Sequence, residues 1–138
     1  MEEVRILLVE DNEGDIELTM EALKEARVMN SVTIARDGEA ALKLLEPDTL
    51  LPDLILLDIN LPKLDGMEVL SAIKSDDRLK EIPVIILTTS SSEKDISRSF
   101  ANKANHFITK PVDAHMFVKM IRDIENFWIS IVRVPKTV

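Results

Sequence analysis

The chain contains no cysteine. That excludes disulfides, thiol chemistry and the usual zinc clusters, and accords with a reducing compartment. No apolar run approaches the roughly 18 residues of a membrane span. Glu2 and Glu3 stand where a secretory signal would need basic residues. The expected address is the cytosol, with no membrane partner. Positive charge is scarce in the first half: residues 1–69 hold 6 Lys and Arg against 17 Asp and Glu, while residues 70–138 hold 11 against 8. A net charge of −8 argues against nonspecific nucleic-acid binding, because phosphates repel such a surface. It leaves room for a divalent cation, which the acidic half would welcome. No internal repeat, low-complexity tract or linker interrupts the 138 residues, so one domain is expected.

What the chain does have is 46% hydrophobic residues, gathered into short unbroken runs. Leu54-Ile55-Leu56-Leu57 ends in Asp58 and is followed by the turn formers Pro62 and Gly66. Such a run reads as a strand buried on both faces, typical of parallel sheets. Arg5 to Val9 is a second run, ending in Glu10-Asp11. Ser31 to Arg36, Ile82 to Leu87 and His106 to Thr109 complete a predicted set of five strands. Between them lie helical spacings. Ile16, Met20, Leu23 and Val28 follow Asp15, read as an N-cap; Asp37-Gly38 opens a second helix, and Asp65-Gly66-Met67-Glu68 has capping-box spacing ahead of Val69, Leu70 and Ile73. Ser92 is expected to cap a fourth helix with Ile96 and Phe100 inward, and Asp113 a fifth. Strand and helix alternating five times predict a three-layer α/β domain with a parallel sheet and right-handed crossovers.

Four of the five strands end in a group with chemical use: Glu10-Asp11, Asp58, Thr88 and Lys110. Singly, each has a plainer reading. An Asp after a strand is usually a cap or turn former, a Thr a turn hydroxyl, a Lys a solvated charge. In a parallel sheet, however, strand ends meet on one edge, where open α/β folds place their sites. Clustered carboxylates repel one another, so a cation is needed to keep one of them an ionised nucleophile. Mg²⁺ takes few protein oxygens and retains waters, which suits a site completed by phosphate. A carboxylate can then form an aspartyl phosphate, and a mobile ammonium can follow the new charge.

On these residues the chain resembles the receiver domain of two-component response regulators, over essentially its whole length. The resemblance implies a flavodoxin-like five-stranded sheet of order 2-1-3-4-5, and Asp58 as acceptor of a phosphoryl group from a histidine kinase. It implies Mg²⁺ bound by Asp11, Asp58 and the backbone carbonyl of Asn60, with Glu10 acting through water. Thr88 and Lys110 would hold phosphoryl oxygens, Phe107 would turn inward with Thr88, and the Lys110-Pro111 bond would be cis. Glu10 stands where Asp is commoner, and Thr89 where smaller residues are usual. Output would be protein–protein contact or onward transfer to a relay protein, without direct nucleic-acid binding.

Receivers of this kind end near Ile124, so residues 1–126 are assigned to the domain and 127–138 to an extension of the last helix. Phe117, Met120, Ile121, Ile124, Trp128 and Ile131 fall at i, i+3, i+4, i+7, i+11 and i+14. Phe117, Phe127, Trp128 and Ile131 are therefore expected to form a homodimer interface, the alternative being that the stripe folds back on its own domain. This ending, with Glu21 to Glu25 and Asp53 to Pro62, resembles the stand-alone regulators that partner bacterial phytochromes. Two other classes compete. A Mg²⁺-dependent phosphatase could use Asp58 as a transient nucleophile, but Asn60 stands where such enzymes carry the general acid. A flavodoxin relative needs a phosphate-cradling loop after the first strand, where Asp11-Asn12-Glu13-Gly14-Asp15 is acidic.

Overall fold

The structure, a computed structural model, describes residues 4–25, 30–89 and 106–119. Its elements run β1 (Val4–Val9), α1 (Glu13–Glu25), β2 (Asn30–Ala35), α2 (Gly38–Leu44), β3 (Leu54–Asp58), α3 (Gly66–Ser75), β4 (Val84–Thr88) and β5 (His106–Thr109). A further helix begins over 114–119. All pairings are parallel, and the strand order is β2-β1-β3-β4-β5. That is the predicted flavodoxin-like sheet. The expected helix at Ser92, with Ile96 and Phe100, lies outside the described residues.

The apolar runs form strands because both faces of the sheet are covered. Leu7, Val9, Ile55, Leu57, Val84 and Ile86 point into one core with α2 and α3; Ile6, Leu8, Leu54, Leu56, Ile85 and Leu87 point into the other with Ile16, Ala22 and Leu23 of α1. This two-residue alternation puts every apolar side chain of β3 and β4 in one core or the other. Burying one Leu or Ile contributes about 1.5–3 kcal/mol, so the central strands anchor the domain.

Helix starts follow the predicted caps in three of the four cases among the described residues. Asp37 accepts from Ala40 N at 2.7 Å, and Asp65 accepts from Met67 N at 2.8 Å. In α1 the expectation fails: Asn12 Oδ1 accepts from Asp15 N at 2.9 Å, so Asn12 is the cap and Asp15 lies inside the first turn. Met20 was expected inward and is exposed, whereas Thr19 and Ala22 are buried. The smaller pair occupies the sheet-facing side alongside Ile16 and Leu23, and Met20 is displaced toward solvent. Strand β4 begins at Val84 rather than Ile82, because Pro83 offers no N–H to the ladder.

Phe117, expected at an interface, is fully buried in the core with Ile6, Leu8 and Leu23, so its side chain packs within its own domain. Asp113 opens that helix as predicted, its Oδ1 accepting from Met116 N at 3.1 Å.

Candidate functional site

Register alone brings the strand-end residues together. Val9 is paired with Leu57, so the next residues, Glu10 and Asp58, are lateral neighbours. Asp58 is paired with Leu87, which places Thr88 one step further along the adjacent strand. Thr88 is paired with Thr109, and Lys110 N donates to Thr88 O at 2.7 Å, extending the ladder by one rung. The Lys110–Pro111 peptide is cis.

Local packing fixes the end of β3. Gly66 N donates to Ile59 O at 3.2 Å, and the start of α3 lies against this backbone. A Cβ on Gly66 would collide with Asp58 O and come within 2.5 Å of Ile59 Cα, so only glycine permits the approach. Asn60 N donates to Asp58 Oδ1 at 3.1 Å and holds that carboxylate.

Lys110 is the hub. Its Nζ lies 2.6 Å from Glu10 Oε1, 2.9 Å from Asp15 Oδ2 and 3.3 Å from Asp58 Oδ2. The Lys110 side chain is 7% exposed, those of Glu10 and Asp58 are 0% and 5%, and that of Asp15 is 30%. The Asp15 contact is an aligned hydrogen bond. The Glu10 contact is a close ion pair out of line, which leaves Oε1 without a hydrogen-bond donor. Burial is the main influence on Glu10, pushing its carboxyl from 4.5 up to about 7; Asp58 adds to the rise and Lys110 opposes it. Burial also works to lower Lys110, but the Asp15 hydrogen bond, then Glu10 and Asp58, outweigh it and hold the ammonium above the ordinary lysine range.

Glu10, Asp11 and Asp58 each present an oxygen, and these atoms lie within 4.8 Å of one another. An all-oxygen carboxylate set suits hard cations such as Mg²⁺ and Mn²⁺. Three carboxylates so close together, with Lys110 the cation in contact with two of them, leave excess negative charge for a cation to offset. The residues fit a divalent ion.

The predicted site residues are thus largely brought together: Glu10, Asp11 and Asp58 as a cluster, Lys110 across it, and Thr88 fully buried at the end of β4. Thr89 is exposed beside it. Phe107 is partly buried and packs against the core that holds Leu57 and Ile86. Phe127, Trp128 and Ile131 lie outside the described residues. Asp15 is the residue that sequence reasoning missed, having been read as a cap. Its Lys110 partner is 95 positions away, and its place one turn after an acidic strand end was the available signal.

A five-stranded parallel sheet with this acid, hydroxyl and ammonium edge defines a phosphoryl-accepting signalling domain. Residues 6–122 match the family model described as response regulator receiver domain, and the chain belongs to that family. It is 43% identical over 135 residues to response regulator Rcp1 of Synechocystis sp., covering 94% of this chain and 92% of that one. A structure of the Mn²⁺-bound form of Rcp1 superposes with a TM-score of 0.74, covering 91% of this chain and 94% of that one. The bacteriophytochrome response regulator AtBRR is similar at 44% identity and a TM-score of 0.81, with 93% and 96% of the two chains covered. The phosphorylated cyanobacterial phytochrome response regulator RcpA gives 43% and 0.76, with 95% and 97% covered. The chain is a receiver, its relatives are response regulators, and the phosphatase alternative is not favoured.

Proposed function

We propose that Asp58 is the phosphoryl acceptor and that the donor is a phytochrome-type sensor histidine kinase. A phosphohistidine P–N bond would break as a P–O bond forms to an Asp58 carboxylate oxygen. The observation that carries this reading is the convergence of Glu10, Asp11, Asp58 and Lys110 on one sheet edge, with Asp58 at the end of the central strand. Mg²⁺ would be held by Asp11, Asp58 and the Asn60 carbonyl, with Glu10 acting through water; when bound, it offsets charge on the transferring phosphoryl group. Support comes from the oxygen-only donor set and from the Mn²⁺-bound Rcp1 relative.

The chain's own residues supply the rest. Lys110 offers an ammonium to the phosphoryl oxygens, and the Thr88 hydroxyl swings to donate a hydrogen bond to one of them. Phe107 follows Thr88 inward and carries the change to the surface. The signal then passes by protein contact in the cytoplasm, or the phosphoryl group moves on to a relay protein. The domain closes near residue 126, and residues 127–138 extend the last helix into a homodimer interface through Phe127, Trp128 and Ile131. Because Phe117 is spent on the core, the interface falls on the later part of the stripe.

Incubation with acetyl phosphate and Mg²⁺, read by intact mass, tests the acceptor. Wild type gains one phosphoryl group and Asp58→Asn gains none; uptake by the variant to the wild-type extent refutes the assignment. Light scattering at high concentration, with and without beryllofluoride, tests the dimer. A monomer mass under both conditions removes it.

A further inference from the structure

We propose that Asp15 is the positioning residue for Lys110, holding the ammonium over the acceptor once the metal-binding carboxylates are occupied. The inference rests on the reading of Asp58 as acceptor. It starts from a count of donors. A lysine ammonium has three N–H groups. Three carboxylates surround it: Glu10 at 2.6 Å, Asp15 at 2.9 Å and Asp58 at 3.3 Å.

These three are not equivalent. Glu10 and Asp58 belong to the cluster that can share a cation, and Asp15 does not. A bound divalent ion draws on the charge of the first two and weakens their hold on Lys110. Asp15 then remains as its anion partner, and it already makes the aligned hydrogen bond. Two N–H groups are left to face the phosphoryl group. Asp15 therefore need not release Lys110 when the phosphoryl group arrives.

The backbone makes Asp15 a stiff anchor. Its N–H is tied to Asn12 Oδ1 at 2.9 Å, and it sits in the first turn of α1. Lysine's four-carbon stem is flexible, so an ammonium without that anchor samples other rotamers before it can meet a phosphoryl oxygen. Asp15 is not a member of the metal-binding cluster, and its side chain is hydrogen-bonded to Lys110, through which it acts.

Simple electrostatics predicts the opposite sign, which makes the test sharp. Removing a carboxylate near an anion site should tighten anion binding. Positioning predicts that Asp15→Ala binds beryllofluoride, at saturating Mg²⁺, roughly threefold to tenfold more weakly than wild type, a range reduced for the partial exposure of Asp15. Asp15→Asn, which keeps an acceptor oxygen, should fall between the two. In a Lys110→Met background, Asp15→Ala should change the affinity by less than about twofold, since the residue it acts through is gone. Glu13→Gln removes the same charge from the same turn, where Glu13 pairs with Arg36 at 2.5 Å, and should not weaken binding.

Equal or tighter binding by Asp15→Ala overturns the inference while leaving the acceptor assignment standing. So does an equally large loss in the Lys110→Met background. Wild type that fails to bind beryllofluoride with Mg²⁺ overturns the acceptor reading, and this inference with it.

Discussion

Replacing Lys110 by methionine removes the ammonium while keeping the bulk of the stem, and the structure sets the size of the result. Two of its partners are nearly inaccessible, Glu10 at 0% and Asp58 at 5% exposure, whereas Asp15 at 30% is screened by water. Glu10 has an escape, because it can take up a proton. Protonation at pH 8 from an ordinary value of 4.5 costs about 5 kcal/mol, most of which the rise to about 7 already accounts for. Its further loss is therefore limited to about 1 kcal/mol. Stripping the buried Asp58 carboxylate of its counter-charge adds about 2 kcal/mol. Urea denaturation at pH 8 without metal should show the variant less stable by about 3 kcal/mol. Glu10 has a raised folded pKa, so its contribution is present at low pH and lost as pH rises through the folded value. At pH 6 Glu10 is protonated in both proteins, its share vanishes, and the gap should shrink to about 2 kcal/mol. Saturating Mg²⁺ should narrow it further by supplying the missing charge. A gap below about 1 kcal/mol at pH 8, or one that Mg²⁺ widens, would show that the carboxylates are not organised around this lysine.

Three further outcomes follow from the same geometry. Mg²⁺ must compete with the proton on Glu10, so affinity should fall about tenfold from pH 8 to pH 6, with about half a proton released near pH 7, measurable by calorimetry in two buffers of different ionisation enthalpy. Gly66→Ala drives a Cβ into the backbone at Asp58 and Ile59, and should cost about 2–3 kcal/mol in denaturant while slowing phosphorylation by acetyl phosphate. Phe117→Ala opens a cavity in the core beside Ile6, Leu8 and Leu23, and should cost about 3–5 kcal/mol in denaturant.

The central strands were legible because burial on both faces leaves an unbroken apolar run, and their ends were legible because turn formers follow at once. Asp58 and Lys110 could be placed on one edge from alternation alone, since a parallel sheet aligns all its strand ends. What was not legible depended on contacts between distant segments. Asp15 has the composition of a cap, and only the crossover that carries β5 alongside β4 brings Lys110 to it. Met20 and Thr19 share a helical neighbourhood, and spacing cannot say which one faces the sheet; hydrophobicity favoured Met20, the packing favoured Thr19. Phe117, at the head of the terminal stripe, was hard to place for a related reason. A helix that packs on its own sheet and one that packs on a partner present the same period, so Phe117 was grouped with Trp128 although the core claims it.

The charge arrangement also shows why such a site can act as a switch. Without metal, one ammonium faces Glu10, Asp15 and Asp58, with Asp11 completing the cluster. A divalent ion reduces the excess negative charge without abolishing it, even with Lys110 in place. Phosphorylation at Asp58, as proposed, would then return about one unit of negative charge to the end of β3. Neither Glu10 nor Asp11 can answer that charge, since both are acceptors when ionised. The donors must come from the neighbouring strand ends: the Lys110 ammonium and the buried Thr88 hydroxyl one step along β4. Lys110 lies within 3.3 Å of Asp58 Oδ2 before the reaction, so it needs little motion. On the proposed acceptor assignment the larger movement would therefore fall to Thr88, whose hydroxyl is buried one step along β4.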